Sequence, residues 1–322
     1  MTYANRYNDR QSSTSSEAKT RQTRPRPRKL APLYETRLGE AYVADSLDML
    51  RSLPARSVNL VITSPPYALQ RKKEYGNVDK RDYIEWMLPF AREIKRVLTD
   101  DGSFVLNIGG SYNEGFPTRS LYHFKLLIAL CEDVKFHLAQ EGFWYNPAKL
   151  PAPTEWVNVR RIRIKDSVEY VWWLAPRPWP AADNRRVLVP YSDSMLRLLE
   201  RGCKAKKRPS GHDITNKFQK DSGGAIPSNL VVQANTESNS DYMRACKEFD
   251  VKVHPARFPS ALPEFYIKLL TKPGDLVLDP FAGSNTTGQV AEGLNRRWMS
   301  IDREEAYVRA SGVRFGFDPH SL

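Results

Sequence analysis

The stretch Ser64–Tyr67, which reads Ser-Pro-Pro-Tyr, has the residue types that accept hydrogen bonds from an amine. It follows the apolar run Leu60–Ile62, which predicts a buried strand that ends in a rigid loop. Each proline fixes its own φ, lacks an N–H donor and keeps the preceding residue out of the helical region. The Ser64 hydroxyl and the Pro65 carbonyl are therefore held on a stiff strand end with few local donors. A Pro-Pro pair alone is more often a simple turn, so a second signal is needed.

A second stretch, from Leu276 to Asp302, predicts a nucleoside-binding unit. Its elements are a buried strand, a small-residue loop, a helix and a strand that ends in an acidic residue, as in a mononucleotide-binding half-fold. Gly283 allows a ligand to approach the loop backbone, and Asp302 can accept hydrogen bonds from both ribose hydroxyls. The usual three-glycine pattern is absent, which suits a nucleoside without a pyrophosphate. A plain βαβ unit with a tight turn is the alternative for this stretch alone.

The two stretches together predict an amino methyltransferase. A loop for a nucleoside cofactor and a rigid loop that accepts hydrogen bonds from an amine belong together on one α/β sheet. An amine can attack a methyl group directly when the two are aligned, so no covalent enzyme intermediate is needed. The sequence accordingly needs no cysteine nucleophile, and none is placed for that role.

The elements that must position these stretches alternate between strand and helix. Strands are predicted at residues 41–44, 58–63, 103–108, 142–145, 170–174, 276–279 and 297–302. Helices are predicted at residues 45–53, 82–97, 119–131, 262–270, 286–294 and 304–313. This alternation indicates a parallel α/β sheet.

The chain divides into three predicted regions. Residues 1–37 are basic, proline-rich and of low complexity, and we expect them to form a disordered tail. Residues 38–150 and 254–322 carry the α/β pattern and are the expected catalytic and cofactor-binding domain. In residues 151–253, prolines, basic residues and short strands alternate with loops, and we expect an irregular insert or a small second domain there.

Composition indicates the partner and the compartment. The 322 residues carry a formal net charge of +12, which favours a polyanionic partner, with a solvated basic surface as the alternative. The cysteines Cys131, Cys203 and Cys246 are far apart and form no C-x-x-C pair. We therefore expect neither a metal site nor a disulfide framework, and this cysteine usage fits a reducing compartment. No apolar run approaches membrane-spanning length, and no signal-peptide pattern opens the sequence.

In its motifs and their order, the chain resembles the amino-methylating DNA methyltransferases of the β arrangement. In that arrangement the catalytic motif comes first, the recognition region follows and the cofactor loop comes last. The resemblance covers roughly residues 42–313, extends into the recognition region and is strongest to an N4-cytosine enzyme. It implies a seven-stranded mixed sheet with its last strand antiparallel, S-adenosylmethionine as cofactor and double-stranded DNA as substrate. It further implies that residues 151–253 are the target-recognition region, and that the protein is a monomeric modification enzyme of a restriction-modification system in the prokaryotic cytoplasm.

The resemblance also implies the site residues. The expected catalytic residues are Ser64, Pro65, Pro66, Tyr67 and Asn107. The expected cofactor-binding residues are Asp45, Arg257, Phe258, Pro259, Asp279, Pro280, Phe281, Gly283, Ser284, Thr286 and Asp302. Simple N-capping is the alternative for Asp45, and a surface salt bridge is the alternative for Arg257.

The implied reaction is methylation of the exocyclic N4 of a flipped cytosine. Two acceptors, the Ser64 hydroxyl and the Pro65 carbonyl, would draw this conjugated amine toward sp³ geometry, while Tyr67 would stack on the base. Asn107 departs from the resemblance, because a closely similar member of the family carries an aspartate there that could take the proton. An asparagine side chain cannot accept a proton as a carboxylate does. We therefore expect Asn107 to orient Ser64 or the amine, and the proton to pass to water.

DNA contacts are expected from side chains that follow the catalytic loop or lie in the recognition region. They are Arg71, Lys72, Lys73, Arg160, Arg161, Arg163, Lys206, Lys207, Arg208, His212 and Asp213. For each residue taken singly, a solvated surface position is an equal alternative. The close match in the recognition region makes CAGCTG a candidate target, and any companion restriction endonuclease is expected to form no stable complex.

Three other functions remain open at the level of sequence. Adenine N6 presents the same two hydrogens as cytosine N4, although serine at the first motif position favours cytosine. A methyltransferase for RNA or for protein glutamine would share the cofactor loop, but its motif more often begins with asparagine. A non-catalytic DNA-binding protein would explain the charge without explaining the paired motifs.

Overall fold

The computed structural model of the chain describes residues 30–67, 82–202, 220–235 and 240–322. Within these residues, nine strands form one mixed sheet, and helices cover both of its faces. Residues Ala31–Leu322 belong to one compact unit. None of the described helices is both long and apolar enough to cross a membrane. The predicted α/β class is confirmed.

The strands, in chain order, have the following bounds. They are β1 (Tyr34–Glu35), β2 (Gly39–Val43), β3 (Val58–Thr63), β4 (Leu98–Ile108), β5 (Ser111–Tyr112), β6 (Arg119–Ser120), β7 (His137–Tyr145), β8 (Val168–Ala175), β9 (Leu230–Val232), β10 (Leu276–Asp279) and β11 (Arg297–Asp302). The large sheet has the order β1-β2-β11-β10-β3-β4-β8-β7-β9, and β5 pairs with β6 in a separate sheet. Strands β2, β11, β10, β3 and β4 are mutually parallel, whereas β8 runs antiparallel to both β4 and β7.

The helices complete the alternation with the strands. They are α1 (Ser46–Ser52), α2 (Tyr83–Val97), α3 (Tyr122–Glu132), α4 (Asp193–Arg201), α5 (Asp241–Glu248), α6 (Ala261–Leu270), α7 (Thr286–Gly293) and α8 (Glu305–Ser311). Asp45 is the N-cap of α1, and its carboxylate accepts hydrogen bonds from the backbone N–H groups of Leu47 and Asp48 at 2.9 and 3.1 Å. The predicted capping role of Asp45 is therefore confirmed, because two of the unpaired N–H groups of the first turn are satisfied.

Two apolar layers hold the helices against the sheet. On one face, Leu50 of α1, Met87 of α2 and Leu126 of α3 are fully buried in one core cluster. On the other face, Ile267 of α6 and Ala291 of α7 are fully buried in a second cluster. The central parallel strands are therefore covered on both sides, which explains why their sequences are continuous apolar runs without alternation.

The parallel part of the sheet brings the two sequence motifs together. Strand β10 pairs with β3, with Val277 opposite Leu60 and Leu278 opposite Val61. Because parallel strands end at the same edge of a sheet, the loops that follow β3 and β10 are neighbours. Ligands of α/β proteins bind at this carboxyl edge, so the fold places both predicted loops where a shared ligand site is expected.

The structure differs from the sequence-based expectation in four details. The sheet has more than the seven predicted strands, since the short strands β1 and β9 extend its two edges, and the antiparallel strand β8 lies inside the sheet. Strand β1 lies within the predicted tail 1–37, where buried Tyr34 packs into the core. Helix α3 begins at Tyr122, because the two residues before Leu121 pair with β5. Strand β8 is central to the sheet, so the boundary at residue 151 divides this sheet between two predicted regions.

The contact between Gly39 of β2 and Trp298 of β11 generates a prediction about stability. A Cβ atom at residue 39 would lie 2.2 Å from Cδ2 of Trp298, whose side chain is 2% exposed. The indole stacks on Phe315 with a centroid distance of 4.9 Å, and its N–H donates to Glu292 at 2.7 Å, so it is held in place. We expect Gly39→Ala to lower the free energy of unfolding by about 1–3 kcal/mol, measured by urea denaturation.

The matched control is Gly293→Ala at the end of α7. A Cβ atom there would meet no atom within 4 Å, so the variant should unfold within about 1 kcal/mol of wild type. Equal stability of Gly39→Ala and wild type would contradict the packing argument, because it would require the Trp298 ring to move without cost.

Candidate functional site

A cavity of about 660 Å³ lies at the carboxyl edge of the parallel strands. This volume is typical of small-molecule sites. The cavity is lined by residues that follow β2, β3, β10 and β11 and by the end of β4. All five predicted catalytic residues, Ser64, Pro65, Pro66, Tyr67 and Asn107, line it. In the described part of the chain, no three His, Cys, Asp or Glu side chains are grouped as a metal site.

The carboxylate of Asp279 joins the two motif loops beneath this cavity. Thr63, the last residue of β3, donates its hydroxyl to Oδ1 at 2.6 Å, and Thr287 of α7 donates its hydroxyl to Oδ2 at 2.7 Å. The backbone N–H of Phe281 donates to Oδ1 at 3.1 Å. The residue that precedes the Ser-Pro-Pro-Tyr loop is thereby tied to the loop after β10 and to the first turn of α7.

Burial makes this carboxylate easier to protonate. Asp279 is 2% exposed, and desolvation raises its pKa to about 6, although the hydrogen bonds from Thr63, Thr287 and Phe281 work in the opposite direction. The negative charge of Asp302 adds to the increase. Burying this charge costs free energy, and the three hydrogen bonds offset part of that cost. The carboxylate therefore acts as a fixed joint between β3, the loop after β10 and α7.

Asp302, at the end of β11, lines the cavity and organises the loop after β10. Its Oδ2 accepts the backbone N–H of Gly283 at 2.9 Å, and its Oδ1 accepts the backbone N–H of Glu304 at 3.0 Å. Burial raises its pKa, and these two backbone donors oppose that shift. Each carboxylate oxygen has a second lone pair, so Asp302 retains acceptor capacity for hydroxyl groups of a ligand.

The loop Ser64–Tyr67 forms a hydrogen-bonded network on the other side of the cavity. The Ser64 hydroxyl donates to the Tyr67 hydroxyl at 3.0 Å. Two acceptors lie within reach of the Tyr67 hydroxyl, Oε2 of Glu169 at 2.8 Å and Oδ1 of Asn107 at 3.0 Å. Burial, followed by the charge of Glu169, raises the pKa of Tyr67 well above its ordinary value, so the phenol keeps its proton.

Asn107 acts on Tyr67, and no hydrogen bond between its side chain and Ser64 is present among the described residues. Its Nδ2 donates to the Tyr170 carbonyl at 3.2 Å, which turns its Oδ1 toward the Tyr67 hydroxyl. The ring of Tyr67 also lies against Gly109, where a Cβ atom would be 2.7 Å from Cε2 of the ring. The glycine is therefore needed for the close approach of the tyrosine.

Glu169 and Lys149 were not predicted from the sequence. Both line the cavity, and Nζ of Lys149 donates to Oε1 of Glu169 at 3.0 Å. The side chain of Glu169 is 14% exposed and that of Lys149 is 34% exposed. An acidic residue at the start of an apolar strand, in a region that looked irregular, gave a weak signal for a site residue.

Aromatic side chains form the wall near the loop after β10. Trp86 and Phe90 of α2 pack against Phe281, with centroid distances of 5.8 and 5.2 Å. All three line the cavity. The sequence predicted Phe281 only, because the apolar positions of α2 are explained equally well by the core. This wall offers a flat apolar surface to a planar ligand group.

The structure separates the predicted cofactor-binding residues into two groups. The residues that line the cavity are Asp45, Arg257, Phe258, Pro280, Phe281, Ser284, Thr286 and Asp302. Three others do not line it: Asp279 turns inward to two threonine hydroxyls, Gly283 supports Asp302, and the carbonyl of buried Pro259 accepts the N–H of Leu262 at the start of α6. That these three residues contact a cofactor stays a prediction.

The predicted DNA-binding residues are only partly described. Arg71, Lys72, Lys73, Lys206, Lys207, Arg208, His212 and Asp213 lie outside the described residues. Arg160 donates to Glu155 at 2.8 Å, and Arg163 donates to the Pro117 carbonyl at 3.0 Å. Arg161 is exposed and makes no hydrogen bond or ion pair within the described ranges.

Comparisons with known proteins find similar chains and similar structures. A family model described as DNA methylase matches residues 58–312. Type II methyltransferase M.PvuII of Proteus hauseri is 52% identical over 287 residues, which cover 88% of this chain and 85% of that protein. The solved structure named PvuII DNA methyltransferase (cytosine-N4-specific) is similar with a TM-score of 0.74 and 44% identity, over 91% of this chain and 93% of that chain. The M1.HpyAVI-SAM complex, at 18% identity and a TM-score of 0.52, covers 87% of this chain and 100% of that chain and shares the fold.

The buried Asp279 carboxylate generates a prediction about the pH dependence of stability. Because its folded-state pKa is raised from 3.8 to about 6, the folded protein binds this proton more tightly than the unfolded chain does. This group therefore makes the free energy of unfolding fall as pH rises from about 4 to about 6. Asp279→Asn lacks the charge, so its stability relative to wild type should rise across that window by up to about 3 kcal/mol.

The measurement is urea denaturation of both proteins between pH 4 and pH 7, without cofactor. Asp48→Asn is the matched control, because that side chain is exposed and its ion pair with Arg51 lies on the surface of α1. A relative stability of Asp279→Asn that falls with rising pH would show that the three donors outweigh the burial.

Proposed function

The chain belongs to the DNA methylase family, and from this premise we propose that its cavity transfers a methyl group to N4 of a cytosine flipped out of duplex DNA. The enzyme class is cytosine-N4-specific DNA methyltransferase, and the cofactor is S-adenosylmethionine. The observation that carries the proposal is the joint at Asp279. It holds the amine-accepting loop and the small-residue loop side by side at one cavity.

The residues on the cofactor side of the cavity fit S-adenosylmethionine. Asp302 retains acceptor capacity suited to ribose hydroxyls, and the wall at Phe281 suits the adenine ring. Arg257 lines the cavity, and its buried Nε has no hydrogen-bond partner within the described residues. An unsatisfied buried guanidinium donor fits a carboxylate ligand, which the methionine part of the cofactor carries.

The chain contributes alignment to the reaction. When bound, S-adenosylmethionine supplies a methyl group whose bond to the sulfonium sulfur breaks, with its electrons kept by sulfur, as N4 bonds the carbon. The Ser64 hydroxyl and the Pro65 carbonyl each accept a hydrogen bond from one N–H of the amine. These bonds draw the nitrogen toward sp³ geometry and free its lone pair from conjugation. Because the hydrogen of Ser64 points to Tyr67, its oxygen lone pairs face the amine. The prolines and the Asp279 joint keep these acceptors fixed, and such alignment supplies much of the rate.

In this proposal Tyr67 stacks on the target base, and Asn107 orients Tyr67. The Tyr67 ring lines the cavity and can stack on the flipped cytosine, while its hydroxyl is fixed from behind by Asn107 and Glu169. The Asn107 side chain is an orienting group, since its amide cannot take up a proton.

The target and the setting are extensions of the same proposal. The 52% identity to M.PvuII favours CAGCTG as the methylated sequence, read by residues 151–253. The enzyme acts as a monomer, as the modification partner of a restriction endonuclease with which it forms no stable complex. Protection of DNA from cleavage needs only that the modified site be left behind, so a lasting contact between the two enzymes is unnecessary.

Methyl transfer to DNA is the first test of this function. With tritiated S-adenosylmethionine and a duplex containing one CAGCTG site, we expect label in DNA and N4-methylcytosine as the product by nucleoside mass spectrometry. Ser64→Ala should slow single-turnover transfer by about 100-fold, because one of two acceptors for the amine is lost. Ser52→Ala, on the exposed end of α1, is the control that should match wild type.

Several outcomes would contradict the proposal in distinct ways. N6-methyladenine as the sole product would replace the target base. Label confined to RNA or protein would replace the substrate class, and DNA binding without any label would indicate a binding module. Label in N4-methylcytosine at a different sequence would overturn CAGCTG alone.

Arg161 provides a test of the DNA-contacting surface. As an exposed arginine without a described partner, it is available to a phosphate, and we expect Arg161→Ala to weaken duplex binding and to reduce the slope of log K against log salt by about one. The control is Arg185→Ala, whose guanidinium is paired with Asp183 at 2.8 Å. Fluorescence anisotropy at several salt concentrations gives both values, and unchanged slopes for both variants would place Arg161 outside the DNA interface.

A further inference from the structure

A continuous chain of hydrogen bonds leads from the catalytic serine to a carboxylate. The Ser64 hydroxyl donates to the Tyr67 hydroxyl at 3.0 Å, and the Tyr67 hydroxyl donates to Oε2 of Glu169 at 2.8 Å. Both hydroxyl hydrogens therefore point away from the position of the amine and toward Glu169. This is the arrangement that a proton needs to move outward by successive hops between oxygens.

The phenol has two acceptors in reach but only one hydrogen to give. Oε2 of Glu169 is nearer than Oδ1 of Asn107, and a charged acceptor makes the stronger hydrogen bond. Glu169 therefore receives the hydrogen, and Asn107 is the weaker, alternative acceptor for it. The strongly raised pKa of Tyr67 fits a relay in which the phenol passes a proton on without remaining ionised.

Other carboxylates at the cavity have different partners. Asp45 caps α1, Asp166 is bonded to Arg119, and Asp302 accepts two backbone N–H groups. Within the described residues, Glu169 is the cavity-lining carboxylate that hydrogen bonds connect to Ser64 through Tyr67.

We propose that Ser64, Tyr67 and Glu169 form a proton relay that carries the proton of the methylated amine to Glu169. The proposal rests on the function proposed above and deepens it. As N4 bonds the methyl carbon, its proton passes to the Ser64 oxygen, the Ser64 hydrogen passes to the Tyr67 oxygen, and the Tyr67 hydrogen passes to Glu169. The two hydroxyls end as they began, and the carboxylate ends as a neutral acid. Glu169 is thus a positioning and proton-accepting residue, which changes the expectation that the proton passes directly to water.

The groups around Glu169 allow this change of charge. From the segment after β7, the Lys149 ammonium holds Oε1 at 3.0 Å, which leaves Oε2 for Tyr67. From the Ser64–Tyr67 loop and β4 come Tyr67 and the uncharged Asn107, and Asp166, which pairs with Arg119, lines the same cavity. Because Glu169 lines the cavity, its proton can pass to water once the products leave.

The central experiment is Glu169→Gln, assayed by single-turnover methyl transfer to a CAGCTG duplex at saturating S-adenosylmethionine. The amide oxygen of glutamine can still accept the Tyr67 hydrogen, but it cannot take up the proton. We expect the rate to fall by about 100-fold, with the affinities for duplex and cofactor changed less than threefold. The wild-type rate should fall toward acid pH, and the variant should lose this acid limb. Glu141→Gln, an exposed glutamate of β7, is the matched control and should match wild type.

Chemical rescue of a second variant, Glu169→Ala, is an independent test. Glu169→Ala leaves space beside Lys149, and added formate should restore part of the rate, whereas formate should not help Glu169→Gln. Tyr67→Phe breaks the relay between Ser64 and Glu169 and should lose the acid limb as well.

The outcomes separate the relay from the reaction itself. If wild type makes N4-methylcytosine and Glu169→Gln keeps both its rate and its acid limb, the relay is overturned and the proposed function stands. A slow Glu169→Gln that retains the acid limb, with no formate rescue of Glu169→Ala, would reduce Glu169 to a structural partner of Tyr67 and overturn the relay. If wild type transfers no methyl group to cytosine, the proposed function fails and the relay fails with it.

Discussion

The buried carboxylate of Asp279 is the constraint on which the rest of the site depends. It accepts hydrogen bonds from Thr63, from Thr287 and from the backbone of Phe281, so three separate elements meet at one charge. Burying a charge is unfavourable by itself, and the three donors offset part of that cost. The joint fixes the registry of β3, the loop after β10 and α7 relative to one another. These hydrogen bonds hold the end of β3, which leads into the Ser64–Tyr67 loop, in a fixed position relative to the loop after β10.

This registry suits a reaction in which the protein supplies geometry. The Ser64 hydroxyl must lie on one side of an attacking nitrogen while the methyl group lies in line on the other, and small displacements are costly in rate. The prolines after Ser64 stiffen the loop from within, and Tyr67 is held by Asn107 and by its close packing on Gly109. The Ser64–Tyr67 loop is therefore held by packing and hydrogen bonds where it lines the cavity.

The sequence predicted the parts of the fold that have strong local patterns. Strands β3 and β10 match their predicted bounds, because each is a short apolar run that ends at proline or at a small-residue loop. The edge strand β9 has three residues and no such pattern, and it was missed. Cavity-lining residues next to the motifs were predicted, but Asp279 was expected to face the ligand. Sequence shows that a residue ends a strand, but the direction of its side chain is decided by partners hundreds of residues away, such as Thr63.

Glu169 is a site residue that the sequence did not reveal, because its position depends on strand pairing. It stands on β8, whose Val171 pairs with Asn107 of β4, so Glu169 lies two residues along the strand on the same face. Diagonal neighbours on antiparallel strands are within reach of long side chains. A glutamate at this position can therefore bring a carboxylate to Tyr67 from the neighbouring strand, although the residue on β4 is an amide. Asn107 and Glu169 are 62 residues apart in the chain, but both reach Tyr67 because β8 runs antiparallel beside β4. The sequence pattern did not reveal this strand pairing. The negative charge that seemed absent from the motif is present in the fold.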